Sequence, residues 1–236
     1  MTSADDGILL YVYQGALFKI ADGVQVPKAG SLFFCRHLAF RPGERVMELG
    51  CGAGVAAVLA ARAGCSVVAT DVVPEAVECA RENAALNGVA DRVEVRLGDC
   101  YDPVAGLTFD LICTNPPQMP TPPERDREDP VAAADNGGID GWEVLDRVVQ
   151  GAPRRLASGG RLIFTIFAFL GQKAAMSKLE AAGLAPRIIG REVQAFPRIG
   201  YERLDHIRSL DTEGVLPRTG LPKTVERLVL QGTKPA

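Results

Sequence analysis

From residue 45 onward, short runs of β-branched and apolar residues alternate with longer patterns of helical spacing. This rhythm constrains the fold more than any other feature of the chain. Residues 45–49, 66–70, 92–97, 109–114 and 161–167 read as strands, with two closing strands at 187–193 and 225–230. Between them, 54–63, 74–88, 141–156 and 174–182 carry helical patterns, the second opening on Pro74 and stopping at Gly88. Strands separated by helices cannot pair as hairpins, so the sheet they form is parallel and is covered by helices. With 236 residues, 47% of them hydrophobic, the chain suits one sizeable core. The 92–97 segment alternates, as a strand at the sheet margin with one wet face does.

Where the first of these strands turns into the first helix, the sequence reads Glu48-Leu49-Gly50-Cys51-Gly52-Ala53-Gly54. Glycines there let backbone N–H groups approach a nucleotide or nucleoside. A dinucleotide fingerprint would need glycine where Val55 stands. A carboxylate at the strand tip, Glu48, repels pyrophosphate and suits a ligand carrying positive charge. Asp71 ends the second strand, where an acidic residue takes ribose hydroxyls in nucleotide-binding α/β folds. Asp99 ends the third, placed to accept from an adenine amino group. Singly, such carboxylates cap helices or sit in solvated turns; three at successive strand tips form a site.

The fourth strand runs into Asn115-Pro116-Pro117-Gln118. Each proline forces the residue before it into extended geometry and offers no N–H of its own. What remains is a stiff set of acceptors, the Asn115 side-chain oxygen and the Pro116 carbonyl, suited to holding an N–H-bearing group. Two long segments interrupt the rhythm: 118–139, rich in proline with a charge cluster at 124–129, and 194–223, with Phe196, Arg198 and Tyr201. Loops of that length inside a compact domain are functional or mobile. The leader, 1–40, contains Tyr11, Tyr13, Phe18 and Lys28 and is expected to form a lid or one wall of the acceptor site, with 41–236 as the main domain.

A net charge of -3, from 26 basic and 29 acidic side chains, provides no global field to attract a long phosphate backbone. The six cysteines form no CxxC pair and lie in apolar segments, as buried thiols in a reducing compartment do. Two histidines do not suggest a metal site. The N-terminus has no signal-peptide layout, and the longest apolar run is too short to span a bilayer, so the expected location is cytoplasmic.

On Glu48, Gly50, Gly52, Gly54, Asp71 and Asp99, over roughly residues 43–170, the chain resembles the class I S-adenosylmethionine-dependent methyltransferases. The resemblance implies a Rossmann-like, seven-stranded, mostly parallel sheet with one antiparallel strand near the edge and flanking helices. It implies S-adenosyl-L-methionine as cofactor, with Cys51, Val72, Cys100 and Asn115 completing its site. Within that family, Asn115-Pro116-Pro117 is similar to the Asn-Pro-Pro-aromatic motif of amino-methyltransferases, including the release-factor glutamine and N6-adenine enzymes. Residues 135–141 (Asp-Asn-Gly-Gly-Ile-Asp-Gly) are similar to the glutamine-methylating branch.

Asn115 and Pro116 are accordingly the expected catalytic residues, with Tyr11, Lys28, Pro117, Gln118, Phe196, Arg198 and Tyr201 on the acceptor side. Two departures bear on the acceptor. Gln118 stands where an aromatic would stack on a flat ring, and only about forty residues precede the first strand, whereas bacterial release-factor enzymes resemble two-domain proteins. The leading expectation is therefore N-methylation of a small polar metabolite, such as an amino acid or a guanidine. The alternatives are a protein-glutamine or RNA-adenine acceptor, S-methylation or other sulfonium chemistry, and a non-catalytic cofactor-binding module.

Overall fold

The computed structural model describes residues 9–125 and 135–236, so most of the charge cluster expected at 124–129 lies outside the described residues. A seven-stranded sheet forms the centre, in the order β5-β4-β3-β6-β7-β9-β8. Its strands are β3 (Arg45–Leu49), β4 (Ser66–Asp71), β5 (Val93–Leu97), β6 (Phe109–Thr114), β7 (Leu156–Phe167), β8 (Ala185–Ala195) and β9 (Thr224–Thr233). β9 is the antiparallel strand, set between β7 and the edge strand β8, and β5 forms the opposite margin, as the alternation of 92–97 requires. Chain order reverses direction between β3 and β6, which opens a crevice beyond their carboxyl ends.

The central strands are buried on both faces because successive residues point opposite ways. Val46, Leu111 and Cys113 pack to one side against α2 (Val55–Arg62) and α3 (Pro74–Leu86). Met47, Ile112 and Phe164 pack to the other with α4 (Glu143–Arg155) and α5 (Gln172–Ala181). β7 begins at Leu156, earlier than the expected 161, because Leu156 already pairs with Phe109 before a bulge restores register at Arg161. The segment 194–223 is not a plain connection: it contains the short helices α6 (Arg198–Glu202) and α7 (Leu204–Leu210). No helix among the described residues is long and apolar enough to cross a membrane.

The leader folds onto this body. β1 (Leu9–Tyr13) and β2 (Ala16–Ile20) form a hairpin around Gln14-Gly15, both with positive φ (49° and 71°), the geometry of a two-residue primed turn. Ala16, Phe18 and Ile20 alternate inward into the core beneath α2 and α3. The free edge of β2 meets no strand. Instead Asn83 of α3 and Asn87, the C-cap of α3 one turn on, bond its backbone: Lys19 N–H to Asn83 Oδ1 at 2.8 Å, Asn83 Nδ2 to Lys19 O at 2.9 Å, Leu17 N–H to Asn87 Oδ1 at 3.0 Å and Asn87 Nδ2 to Leu17 O at 2.7 Å. Buried Asn83 also reaches the Ala53 carbonyl at 2.9 Å, tying the hairpin to the glycine loop. α1 (Ala29–Arg36) then brings Phe33, Phe34 and Cys35 into the same core.

Because the Phe18 side chain is fully buried, Phe18→Ala is expected to lower stability by about 3–5 kcal/mol, read from the urea midpoint at constant m-value. A loss below about 1 kcal/mol would show that the hairpin is not part of the cooperative core.

Candidate active site

The glycine loop is held by neighbouring strand ends. Gly50 and Cys51 N–H both donate to the Thr70 carbonyl, at 2.8 and 3.0 Å, and the Thr114 hydroxyl donates to the Leu49 carbonyl at 2.8 Å. The Asp71 carboxylate accepts from Gly52 N–H at 2.8 Å and Val73 N–H at 3.0 Å, joining the loop to the tip of β4. Gly50 and Gly52 have φ of +66° and +52°, and a Cβ built on either meets no protein atom within 4 Å. The loop backbone therefore faces the open cleft, where a ligand can approach it closely. Gly54 does something different: it does not line the cleft, and a Cβ there would lie 3.0 Å from that of Ala80, so it sets the packing of α2 on α3.

The cleft above this loop has a volume of about 260 Å³. Its wall includes Glu48, Gly50, Cys51, Gly52, Asp71, Val72, Asp99, Cys100, Asn115 and Pro117, with Val24, Val26 and Phe34 from the leader and Val144 and Val148 from α4. Three carboxylates line it, and no Lys, Arg or His among the described residues does. Glu48 is buried and accepts from Ala57 N–H at 2.7 Å. Burial raises its pKa from the usual 4.5 to about 8, the Ala57 N–H opposing and the Asp71 charge adding. Asp99, expected free for an adenine, is ion-paired with Arg147 of α4 at 2.8 Å, both side chains half-exposed. Val72 offers an exposed apolar side chain beside Asp71, as a nucleobase face requires.

A second cavity, of about 450 Å³, shares Gln25, Ser31, Asn115 and Pro116 with the first, so the two meet at the Asn-Pro step. Lys28, Gln118 and Arg198 line it. Tyr11, Phe196 and Tyr201 do not: Tyr11 packs on the core, Phe196 is buried against Phe169 and Tyr201, and the Tyr201 hydroxyl donates to the Pro222 carbonyl at 2.8 Å. Residues 136–141 fold back on 118–121 behind the cavity-lining Gln118 and Met119, with Gly137 N–H bonded to the Met119 carbonyl at 3.0 Å. A Cβ at Gly137 would sit 2.6 Å from the Gln118 Cα, so this glycine is required by close approach.

Gln118 does not offer its amide to an acceptor. It is buried, its Oε1 accepts from Phe167 N–H at 2.7 Å, and its Nε2 lies 3.2 Å from Thr165 Oγ1 and 3.4 Å from the Pro116 carbonyl. The Thr165 hydroxyl in turn donates to Asn115 Oδ1 at 2.6 Å. Arg227, a pure donor, approaches the same oxygen at 3.3 Å, while Asn115 Nδ2 donates to Ser31 Oγ at 3.3 Å. The Asn115 amide is thus oriented by its surroundings, oxygen toward Thr165 and Arg227. Ser31 belongs to the leader expected to wall the acceptor site, whereas Thr165 and Arg227 were not nominated from sequence. The one visible signal was the charged pair Glu226-Arg227 opening the apolar run Leu228-Val229-Leu230 of the closing strand.

Residues 24–123 match the family described as Methyltransferase small domain. A Methanocaldococcus jannaschii protein named as a candidate protein N5-glutamine methyltransferase is 31% identical over 179 residues, 75% of this chain and 89% of that relative. The chain belongs to the class I S-adenosylmethionine-dependent methyltransferases. The release factor glutamine methyltransferase of Aquifex aeolicus is 35% identical over 64% of the chain and 58% of its own length. The ribosomal protein uL3 glutamine methyltransferase of Bradyrhizobium diazoefficiens is 38% identical over 52% of the chain and 40% of its length. The same fold is found in the E. cuniculi Mtq2–Trm112 complex (TM-score 0.59, 20% identity, 90% of this chain and 99% of that one) and in the Geobacter metallireducens precorrin-6y C5,15-methyltransferase (0.57, 12%, 92% and 95%).

The methyl donor is S-adenosylmethionine, and the cleft fits it: carboxylates without cations suit a ligand carrying an ammonium and a sulfonium. Glu48 gives this fit a measurable consequence. Its pKa is higher in the folded state, so its contribution to stability without ligand is fully present below about 4.5 and is lost as pH rises through about 8. The raised pKa favours the protonated form near neutral pH, and a cationic ligand in the cleft favours the carboxylate. Adenosylmethionine binding is expected to release up to one proton at pH 7, measured from the buffer dependence of calorimetric heats. No release in the wild type, or equal release in Glu48→Gln, would remove Glu48 from the site.

Proposed function

We propose that the enzyme methylates the side-chain amide nitrogen of a glutamine presented by a protein. The observation that carries this reading is the Asn115-Pro116 acceptor pair at the junction of the two cavities, in a chain similar to protein glutamine methyltransferases from three organisms. The E. cuniculi neighbour, which methylates the termination factor eRF1, is in keeping with a protein acceptor. The small metabolite expected from Gln118 loses its main support, because that side chain is committed to β7. A flat adenine is disfavoured too: Phe167, the aromatic ring lining the acceptor cavity, has the Arg227 guanidinium 3.9 Å above its centroid.

An amide nitrogen is a weak nucleophile because its lone pair is delocalised into the carbonyl. Asn115 Oδ1 and the Pro116 carbonyl each accept one N–H of the acceptor amide, which turns the lone pair toward the cofactor cleft and holds it there. Both oxygens bind more strongly as the nitrogen becomes positive, so they favour the transition state over the ground state. When bound, S-adenosylmethionine supplies a methyl on a sulfonium whose sulfur keeps the bonding pair as the new N–C bond forms. The nitrogen then loses a proton to water. Lys28 and Asp135, paired at 3.5 Å, stand on the cavity wall, where incoming chain would pass.

Methyl-labelled cofactor incubated with glutamine-containing peptides, free metabolites and RNA is expected to label a glutamine side chain, located by fragmentation mass spectrometry. Label confined to metabolites or RNA would overturn the proposal. Asn115→Ala is expected to lower kcat at least about 100-fold, the scale of removing one oriented polar group at a reacting centre, with the adenosylmethionine thermal shift retained. Turnover within a few-fold of wild type would exclude Asn115 from the chemistry. Asp71→Ala is expected to abolish that thermal shift, because it removes both the acidic strand tip and the anchor of Gly52.

A further inference from the structure

The acceptor cavity contains a buried cation that the methyl transfer does not use. Arg227 is 9% exposed, and its Nη1 lies 3.3 Å from Asn115 Oδ1 and 3.4 Å from Thr165 Oγ1, both uncharged groups. Its Nε has no hydrogen-bond partner. The guanidinium Cζ lies 3.9 Å from the Phe167 ring centroid, and a Cβ on Gly30 would come within 2.8 Å of it. Among the described residues no carboxylate forms an ion pair with it. Asp135 acts on it from a distance but is paired with Lys28 at 3.5 Å, and Glu202 is 3.8 Å from Arg125. Arg198, also on this cavity, makes no ion pair among the described residues, so the cavity has an excess of positive charge where the cofactor cleft is acidic.

Burying a charge with only neutral partners is unfavourable, and a fold keeps such a group where an anion completes it. Burial lowers the Arg227 pKa to about 10, which still leaves it charged at neutral pH. We propose that Arg227 forms a carboxylate-binding subsite of the acceptor cavity, so that the enzyme selects acceptors carrying a carboxylate beside the nitrogen to be methylated. This rests on the glutamine reading and narrows it: the carboxylate belongs either to an acidic residue flanking the glutamine or to the glutamine's own free α-carboxyl group. A guanidinium fork matches a carboxylate in bidentate fashion, and the buried Arg227 Nε is a donor still without a partner. Binding there also draws Nη1 from Asn115 Oδ1, which frees a lone pair for the acceptor N–H. A neutral acceptor leaves Arg227 competing for that oxygen, so selectivity and catalytic readiness have one source.

The test uses protein loaded with S-adenosylhomocysteine, which carries no transferable methyl, and two matched probe pairs. N-acetylglutamine is compared with its methylamide, and the capped tripeptide Gly-Gln-Glu with Gly-Gln-Gln. In at least one pair the carboxylate member is expected to bind about tenfold tighter by calorimetry, the scale of one charge-assisted contact, and the pair showing it identifies the source. Arg227→Met, which keeps an apolar stem over Phe167, is expected to erase the preference by weakening the carboxylate member alone. Equal affinities within both pairs, no binding by any probe, or a preference that survives Arg227→Met would each overturn the subsite. The wild-type comparison decides even if the variant does not fold. In a parallel assay with methyl-labelled S-adenosylmethionine, carboxylate-dependent binding without methyl transfer to any glutamine probe would sink the glutamine reading and leave the subsite standing; transfer without preference would do the reverse.

Discussion

The parallel register of β4, β3 and β6 is the constraint on which the site depends. Leu49 pairs with Thr70 on one side and Thr114 on the other, so three strands end at the same level. The two carbonyls left there are not lost to solvent: Thr70 O takes two N–H groups of the glycine loop and Leu49 O takes the Thr114 hydroxyl. That bonding fixes the starting direction of the loop, of Asp71 and of Asn115 relative to one another. A slip of one residue in β6 would turn Thr114 and Asn115 to opposite faces and separate the acceptor group from the cofactor cleft.

Asn115 is then oriented by a chain of bonds whose sense is set at its far end. The Phe167 backbone N–H can only donate, so Gln118 must present Oε1 to it and Nε2 to Thr165. Thr165, already receiving from Gln118 and Arg227, gives its hydroxyl proton to Asn115. Buried networks of this kind are favourable only when every member is satisfied. Here the exception is the Arg227 Nε, the one buried side-chain N or O atom among the described residues without a partner, and it lies at the acceptor cavity.

Much of this was legible in the sequence, for identifiable reasons. The sheet, its helices and the tips bearing Glu48, Asp71 and Asp99 follow from local period and from glycine and proline placement. Asn115-Pro116 was legible because proline stiffens backbone locally. What was not legible depends on distant pairing. Thr165 faces Asn115 because β7 pairs in parallel with β6, and Arg227 joins them because β9 pairs antiparallel with β7. The leader hairpin was not read from the sequence, and its edge strand β2 is held by Asn83 and Asn87, more than sixty residues away. Tyr11, Phe196 and Tyr201 looked like substrate residues by type, and tertiary packing turned them elsewhere.

The unusual residue at 118 and the unusual arginine at 227 have a common logic. An aromatic at 118 would supply a flat surface for the acceptor but could not donate to Thr165, whose hydroxyl would then lose one of the bonds that fix its rotation. In this chain the flat surface is instead Phe167, and a guanidinium already covers it at 3.9 Å. An acceptor entering the cavity therefore meets a guanidinium over the ring and not a bare aromatic face. A cation-π contact of this kind is worth about 2 kcal/mol when desolvated, enough to hold Arg227 in place without a counter-ion and too little to offset the full cost of burying its charge. The residual deficit favours an anionic acceptor over a neutral one of the same shape.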